Sequence, residues 1–370
     1  MLGLRLAVRT QTLVTLAGAL ALSACREAAW PTPSQQAALE DRHGAGVTAT
    51  SGGPAPGGQP PVDAGSAASA APDRAALTTT IAVRNAIEPK AGRLPPLPST
   101  PPGTPRVRHV IIISEDGLRP DALMRARGPV LTDVMKHAAY SLTATTIRHA
   151  STLPSHAAML SGFDEDAHGL TWNTWRPGRG FILVPTIFDA AERAGETSAA
   201  FVGKQKLEHV IAPGSVGVFS KPGFLCHAVS EAAARYFVEK KPTLEFVHFA
   251  DPDEIGHHQG WMSDEQLGAI RGTDQCVANM IEAVHRAGDD GDTLFILSAD
   301  HGGHGKNHTG RIKEDRLIPW IAWGAGIRPH KIESPINTTD TAATALWALG
   351  LPRPLSMEGH PVEEAFRHPD

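Results

Sequence analysis

The chain has 370 residues, with 34 Lys and Arg against 39 Asp and Glu, giving a net charge of −5. That mild acidity and the absence of a basic run exclude a cationic face for nucleic-acid polymers, while the length suffices for one large domain with a substantial core. The three cysteines include no CxxC pair, which argues against a thiolate metal site.

Residues 1–25 read as an export signal. Arg5 and Arg9 form a basic start, and LVTLAGALALSA is an apolar run too short to span a bilayer comfortably. It ends in Leu22-Ser23-Ala24-Cys25, which resembles a bacterial lipobox, where the cysteine becomes the lipidated first residue of the mature protein. Acyl chains on Cys25 would anchor the protein without a membrane-spanning helix. With Arg26 next, the resemblance implies the cell envelope, on the outer membrane facing the periplasm. The alternative is an ordinary secretory signal with an incidental cysteine. Residues 26–105 shift to Ala, Pro, Gly and Ser, a composition that cannot bury enough surface to offset the entropy of ordering it. They read as a disordered tether, with a short interaction helix over 75–88 left open. Residues 106–370 then form the folded domain.

Within that domain HVIIIS, 109–114, is a β-branched run with the character of a buried strand. Glu115, Asp116 and Gly117 follow, so Asp116 stands where the strand ends. STLPSH then leads into AAMLSG, a short buried helix that starts near Pro154 and is closed by Gly162. Thr152 falls at or just ahead of its N-terminus, where free amides favour an anion. A threonine there is a cap unless a metal ionises it, in which case it can attack phosphorus. Asn173 lies in the loop beyond, either as a turn residue or as an amide donor to a phosphoryl oxygen.

A helix over 184–194 and a strand over 197–202 come next, followed by Lys204 and Lys206. These lysines read as solvated, with contact to an anionic substrate as the other option. An amphipathic helix spans 229–240. LEFVHFA, 244–250, is the next strand, and DPDEIGHHQG follows it. Asp253 and His257 are four residues apart, which puts both on one side of a helical turn, able to share a metal. His258 points elsewhere. A long helix over 263–287 leads to the strand TLFILSA, 293–299. Asp300, His301, two glycines, His304 and His308 follow, an oxygen and up to three imidazoles of the kind a borderline-soft divalent ion takes. IPWIAWG is a further strand, and Asp340 opens a last, structural helix. Cys226 and Cys276 fall in expected helices, and their pairing is left open.

Alternating strands and helices indicate an α/β layered sandwich with a central, mostly parallel sheet flanked by helices. In such sheets ligands gather at the carboxyl ends of strands, where Asp116, Asp253, Asp300 and His301 all fall. The motifs EDGLRPD, TLPSH, DPDEIGH, SADHG and TDTAATALWALGLPRPLSMEGHPV resemble the alkaline phosphatase superfamily, in its type I phosphodiesterase/nucleotide pyrophosphatase branch, over about 106–362. The resemblance implies two zinc ions, with manganese or another divalent ion as the alternative. It places Asp253, His257 and His308 on one ion, with His304 as the alternate for His308. His308 is preferred because related GPI ethanolamine-phosphate transferases carry a histidine at a similar distance past the DHG motif. The resemblance places Asp116, Asp300, His301 and the Thr152 oxygen on the other ion.

It further implies a Thr152 nucleophile, a phospho-threonine intermediate and a phosphate contact from Asn173. Ser155 departs from the asparagine common in that branch. The expected partner is a small-molecule, lipid or glycan phosphoester. The sulfatase route is disfavoured because TLPSH lacks the CxPxR nucleophile and arginine. An envelope phosphoethanolamine-type transferase stays open, as does a non-catalytic zinc- or phosphate-binding lipoprotein.

Overall fold

The computed structural model describes residues 107–367. Cys25, the tether and the 75–88 segment lie outside the described residues. Val110 through Ile113 are four β-branched residues in a row, which pack well on both faces of a pleated strand. They form β1 (His109–Glu115), buried along its whole length. Two short helices follow, α1 (Pro120–Ala126) and α2 (Pro129–Val134), each opened by a proline whose missing N–H costs nothing there. The chain continues through β2 (Ala139–Thr145), α3 (Thr152–Ser161), α4 (Glu165–His168), α5 (Ile187–Arg193) and β3 (Ser198–Val202). After a 3₁₀ turn, Gln205–His209, come β4 (Val218–Ser220), α6 (Cys226–Lys240), β5 (Leu244–Phe249), α7 (Asp251–Gln259) and α8 (Asp264–Ala287). β6 (Thr293–Ser298), α9 (Lys313–Arg316), β7 (Leu317–Gly324), β8 (His330–Lys331) and α10 (Asp340–Leu349) complete it.

The eight strands form one sheet in the order β4-β3-β5-β1-β6-β7-β2-β8. From β4 to β6 every neighbouring pair is parallel, whereas β7 runs antiparallel to both β6 and β2. The expected α/β layering and mostly parallel sheet are therefore present. β2 carries no clean alternation, since AYSLTAT mixes buried and half-buried positions, and the sequence reading passes over it. Among the described residues no helix is long and apolar enough to cross a membrane.

Helices flank the sheet in two groups. α6 and α8 pack on each other, with α1, α2 and α7 also against α8, while α10 packs with α3 and α5. α8 buries Leu267, Ile270, Val277, Met280 and Val284, the spacing of one helical face. Ser263 caps its start and Gly288 closes it in a left-handed conformation. Cys226 and Cys276 are joined, with Cα atoms 6.0 Å apart, so a disulfide staples α6 to α8.

β5 carries one chemical anomaly. Glu245 lies between Ile111 of β1 and Ala199 of β3, fully buried, with no partner for either carboxyl oxygen. Burial raises its pKa well above the ordinary carboxylate value, so the neutral acid is the form that fits. A raised folded-state pKa contributes stability below the unfolded value of about 4.5, and that contribution is lost as pH climbs through the folded value. Glu245→Leu should therefore raise stability at pH 8 by about 1–3 kcal/mol, with the advantage shrinking toward pH 4.5. Urea unfolding at the two pH values measures the difference, and an equal effect at both would show that the carboxyl does not titrate.

Candidate active site

Four neighbouring parallel strands, β3, β5, β1 and β6, end at the same edge of the sheet. β1 delivers Asp116, followed by Gly117 with φ 73°, a turn that a side chain would strain and where a Cβ would stand 3.0 Å from the Asp253 backbone. β5 delivers Asp251 and Asp253 on the first turn of α7. β6 delivers Asp300 and His301, and β3 is followed at once by Lys204.

The carboxylates share one pattern: one oxygen is tied to protein and the other has no partner. Asp116 Oδ2 accepts from Lys204 Nζ (2.7 Å) and His248 Nε2 (3.0 Å), and its Oδ1 has none. Asp253 Oδ2 accepts from the same Lys204 Nζ (2.5 Å), and its Oδ1 has none. Asp300 Oδ1 accepts the amides of Gly117 (3.1 Å) and His301 (2.9 Å), and its Oδ2 has none. Burial would raise the Asp116 carboxyl, but Lys204 and the His248 hydrogen bond hold it well below the usual range. Burial and Asp116 likewise push Asp253 up, yet Lys204, His257 and His308 outweigh them and lower it. Asp300 is raised well above the usual range by burial and by the Asp116 and Asp253 charges. Lys204 thus bonds two of the three carboxylates and leaves Asp300 without an ammonium partner.

The imidazoles repeat the pattern. His301 Nδ1–H donates to Gly302 O (2.8 Å), His308 Nδ1–H to Ala150 O (2.7 Å) and His257 Nδ1–H to Lys306 O (3.0 Å). Each bond fixes the tautomer and turns the Nε2 lone pair inward, as orienting partners of metal-binding histidines do. His257 Nε2 stands 3.4 Å from Asp253 Oδ1, and His308 Nε2 stands 3.8 Å from it. His301 Nε2 lies 3.4 Å from Asp116 Oδ1, 3.3 Å from Asp300 Oδ2 and 3.9 Å from Asp253 Oδ1. The rings of His301 and His308 stack at 3.8 Å. His304 goes elsewhere, its Nδ1 on the buried Asp315 at 2.6 Å. His258 pairs with Glu254.

Thr152 opens α3, and its Oγ1 is buried without a partner. Its carbonyl accepts from His156 Nδ1 (2.8 Å), and that same nitrogen lies 3.4 Å from Asp300 Oδ2. Two residues before it, Ala150 holds His308. One residue after it, Leu153 donates its amide to Asn173 Oδ1 (2.9 Å). Asn173 Oδ1 also accepts from Lys206 Nζ (3.2 Å), so both its partners are donors and the amide NH₂ faces away from them. Burial and the Lys204 charge lower Lys206 to about 8.

The expectation of a solvated Lys204 is overturned, because its ammonium is enclosed between Asp116 and Asp253, with a side chain only 11% exposed. GKQK in the sequence gives no sign of this. His248 and His156 also belong to the site, without a motif or spacing that marks them. His248 accepts the Gly203 amide at Nδ1 (3.3 Å), which leaves Nε2–H to hold Asp116. His156 links Thr152 to Ser114, whose Oγ lies 2.8 Å from Nε2. A histidine inside the apolar run LEFVHFA was the available signal.

Whether these residues suit a divalent metal can be asked of their spacing. Zinc–ligand bonds of about 2.0–2.1 Å put tetrahedral ligand atoms about 3.3 Å apart. The separations of 3.3–3.4 Å from His301 to Asp116 and to Asp300, and between Asp253 and His257, match that spacing, although Asp300 joins neither of the closed three-residue groups. The donor atoms of Asp253, His257 and His308 all lie within 4.8 Å of one another, as do those of Asp116, Asp253 and His301. Unpartnered oxygens and inward imidazole lone pairs are the donors such ions need.

Comparisons with known proteins give the family and the fold. Human GPI ethanolamine phosphate transferase 1 is 25% identical over 317 residues, 71% of this chain and 33% of its own length. The chain thus spans about a third of that curated relative. Murine ectonucleotide pyrophosphatase/phosphodiesterase 5, solved in complex with AMP, superposes with a TM-score of 0.60 at 15% identity, covering 70% of this chain and 99% of that one. The alkaline phosphatase PafA superposes at 0.63 and 12% identity, over 71% and 99%. Both share the fold. The type I phosphodiesterase / nucleotide pyrophosphatase family model matches residues 110–323, a span that holds every side chain of the pocket, and the chain belongs to that family.

Proposed function

We propose that the chain is a two-metal phosphoester hydrolase that cleaves phosphodiesters through a phospho-threonine at Thr152. The observation that carries this is the buried, unpartnered Thr152 Oγ1 at the start of α3, in a residue whose carbonyl is bonded by His156 Nδ1, itself 3.4 Å from the unpartnered Asp300 Oδ2. Asp253, His257 and His308 would hold one ion, and Asp116, Asp300, His301 and Thr152 the other. When bound, the two cations neutralise charge on the attacking and leaving oxygens of an in-line displacement.

The chain's own groups supply the rest. The Thr152 oxygen forms a bond to phosphorus as the bond to the ester oxygen breaks, and the leaving alcohol departs with a proton. Water then attacks the same phosphorus, the bond to Thr152 breaks, and the hydroxyl is restored. His156 and Asn173 hold the first turn of α3 in place through Thr152 O and the Leu153 amide. The Asn173 amide NH₂, with Lys206 bonded to the same side chain, stands against the nucleophile's helix, suited to a non-bridging phosphoryl oxygen. We place the enzyme at the cell envelope, tethered through a lipidated Cys25, with zinc as the resident metal.

A transferase reading is favoured by one finding, the similarity to a protein named as an ethanolamine phosphate transferase. Hydrolysis and transfer differ only in whether water or another hydroxyl accepts from Thr152. Release of p-nitrophenol from bis-p-nitrophenyl phosphate, with and without an alcohol acceptor, separates the two. Thr152→Ala should lower that turnover by at least about 10³-fold while zinc content stays largely intact. Persisting turnover in that variant would remove the covalent route.

The charge balance yields a second test. Removing one partner of a buried ion pair costs about 3–5 kcal/mol, because the remaining charge is left uncompensated. Lys204→Met should destabilise the metal-free protein by that order, and added zinc should recover part of the loss. Urea unfolding with chelator and with zinc reads both. A variant as stable as the parent would mean that the lysine does not hold the two carboxylates.

A further inference from the structure

Trp261 follows the glycine that ends α7, and it touches three of the four segments that carry the proposed metal ligands. Its indole Nε1–H donates to Gly117 O (2.9 Å), one residue past Asp116. Its backbone amide donates to Gly305 O (2.7 Å), between His301 and His308. Its ring meets His257 edge-on at 5.1 Å and His308 at 5.9 Å, and the residue is only 6% exposed. Gly303 and Gly256 lie flat against the same ring. A Cβ on Gly303 would stand 2.1 Å from Trp261 Cε2, and one on Gly256 would stand 2.8 Å from Cδ2. Each of the two segments bearing those glycines can approach the indole only because it lacks a side chain there.

The next residue, Met262, has φ 69°, a left-handed conformation that is strained for a residue with a side chain. Its amide is held by Gln266 Oε1 at 2.7 Å. The chain thus accepts local strain one residue from the indole, and packing around the ring sustains it.

We infer that Trp261 couples the two metal positions, so that ordering one ligand set orders the other. This rests on the two-metal reading above. The ring contacts His257 and His308 of one set, and its N–H holds the turn after Asp116 of the other. Asp253 Oδ1 lies near His257, His308 and His301 alike, so the two sets already share a carboxylate at their border. A rigid bicyclic ring wedged among three loops transmits a shift in any one of them. Occupation of the first position then removes an ordering cost that the second no longer bears, which is positive cooperativity.

The test is zinc titration of the metal-free full chain against a competing fluorescent chelator, with tryptophan emission followed alongside. The parent should take up two zinc ions in one steep transition with a Hill slope above 1. Trp261→Phe keeps most of the ring but loses the N–H. It should bind its zinc in two separate steps, about 10- to 100-fold more weakly overall, and lose the part of the emission change that Trp261 contributes. Gly303→Ala, which pushes the ring away while keeping it, should also split the transition.

Circular dichroism of each metal-free variant checks that the fold is retained. Two independent zinc sites in the parent would overturn the coupling and leave the two-metal reading standing. Wild-type affinity and steepness in a folded Trp261→Phe would do the same. No zinc uptake by the parent would overturn both.

Discussion

Asp116, Asp253 and Asp300 come from three adjacent strands and lie buried within a few ångströms of one shared imidazole, His301. Like charges in a low-dielectric pocket repel strongly, and each carboxylate loses hydration on burial. Lys204 meets part of this demand by donating to both Asp116 and Asp253. It can do so because β3 lies next to β5 and β5 next to β1, so a residue just past β3 overhangs the other two exits. The sheet order is thus an electrostatic requirement as much as a packing one. Asp300 receives nothing from Lys204: backbone amides hold its Oδ1 and its Oδ2 stays unpartnered.

Around these carboxylates the polar groups are arranged so that each ligand is held from behind. Backbone carbonyls of Ala150, Gly302 and Lys306 take the three Nδ1 protons. Those carbonyls sit on loops that are themselves fixed. The buried Glu165 accepts from Arg148 Nε (2.7 Å) and from the His149 amide (3.2 Å), which secures the chain just ahead of Ala150 and Thr152. Arg119 Nη1 donates to Gly303 O (2.9 Å), tying the β1 exit to the β6 exit. The disulfide acts further out: the Cys226 amide donates to Asp251 Oδ2 (2.9 Å), on the turn that presents Asp253. A shift in α6 would therefore reach the site in two steps.

Much of this could be read from the residues in advance, and the reason is local. Apolar runs that stop at an acidic residue mark buried strands and their exits without tertiary information, and Asp116, Asp253 and Asp300 all lie at or just past such stops. His257 followed from helical spacing. The choice between His308 and His304 could not be made from spacing, because it depends on Asp315, which claims His304. Lys204 was illegible for a similar reason. A lysine after a strand points into solvent or over the sheet according to what the neighbouring strands carry, and that is a non-local fact. β2 escaped notice because its partner β7 and the short β8 on its other side leave it only half covered, so its pattern is blurred. Glu245 and His248 broke the apolar pattern of β5, and such breaks mark places where a fold accepts a cost.

Those costs fall in an informative place. Glu245 lies in β5 itself, Asp251 lies at its exit with a pKa raised by burial to about 7, and the left-handed Met262 follows the helix that β5 leads into. All belong to the one strand-to-helix connection that bears Asp253 and His257. Local sequence preference and native structure disagree most where donor atoms must be aimed, since a carboxylate left with an unpartnered oxygen cannot also be a relaxed one. With the histidine tautomers already set by backbone carbonyls, a metal entering this pocket would meet imidazole nitrogens in the right protonation state. The cost of setting the imidazole tautomers is then met during folding, and what a first metal must still order is the mutual position of the loops that carry them.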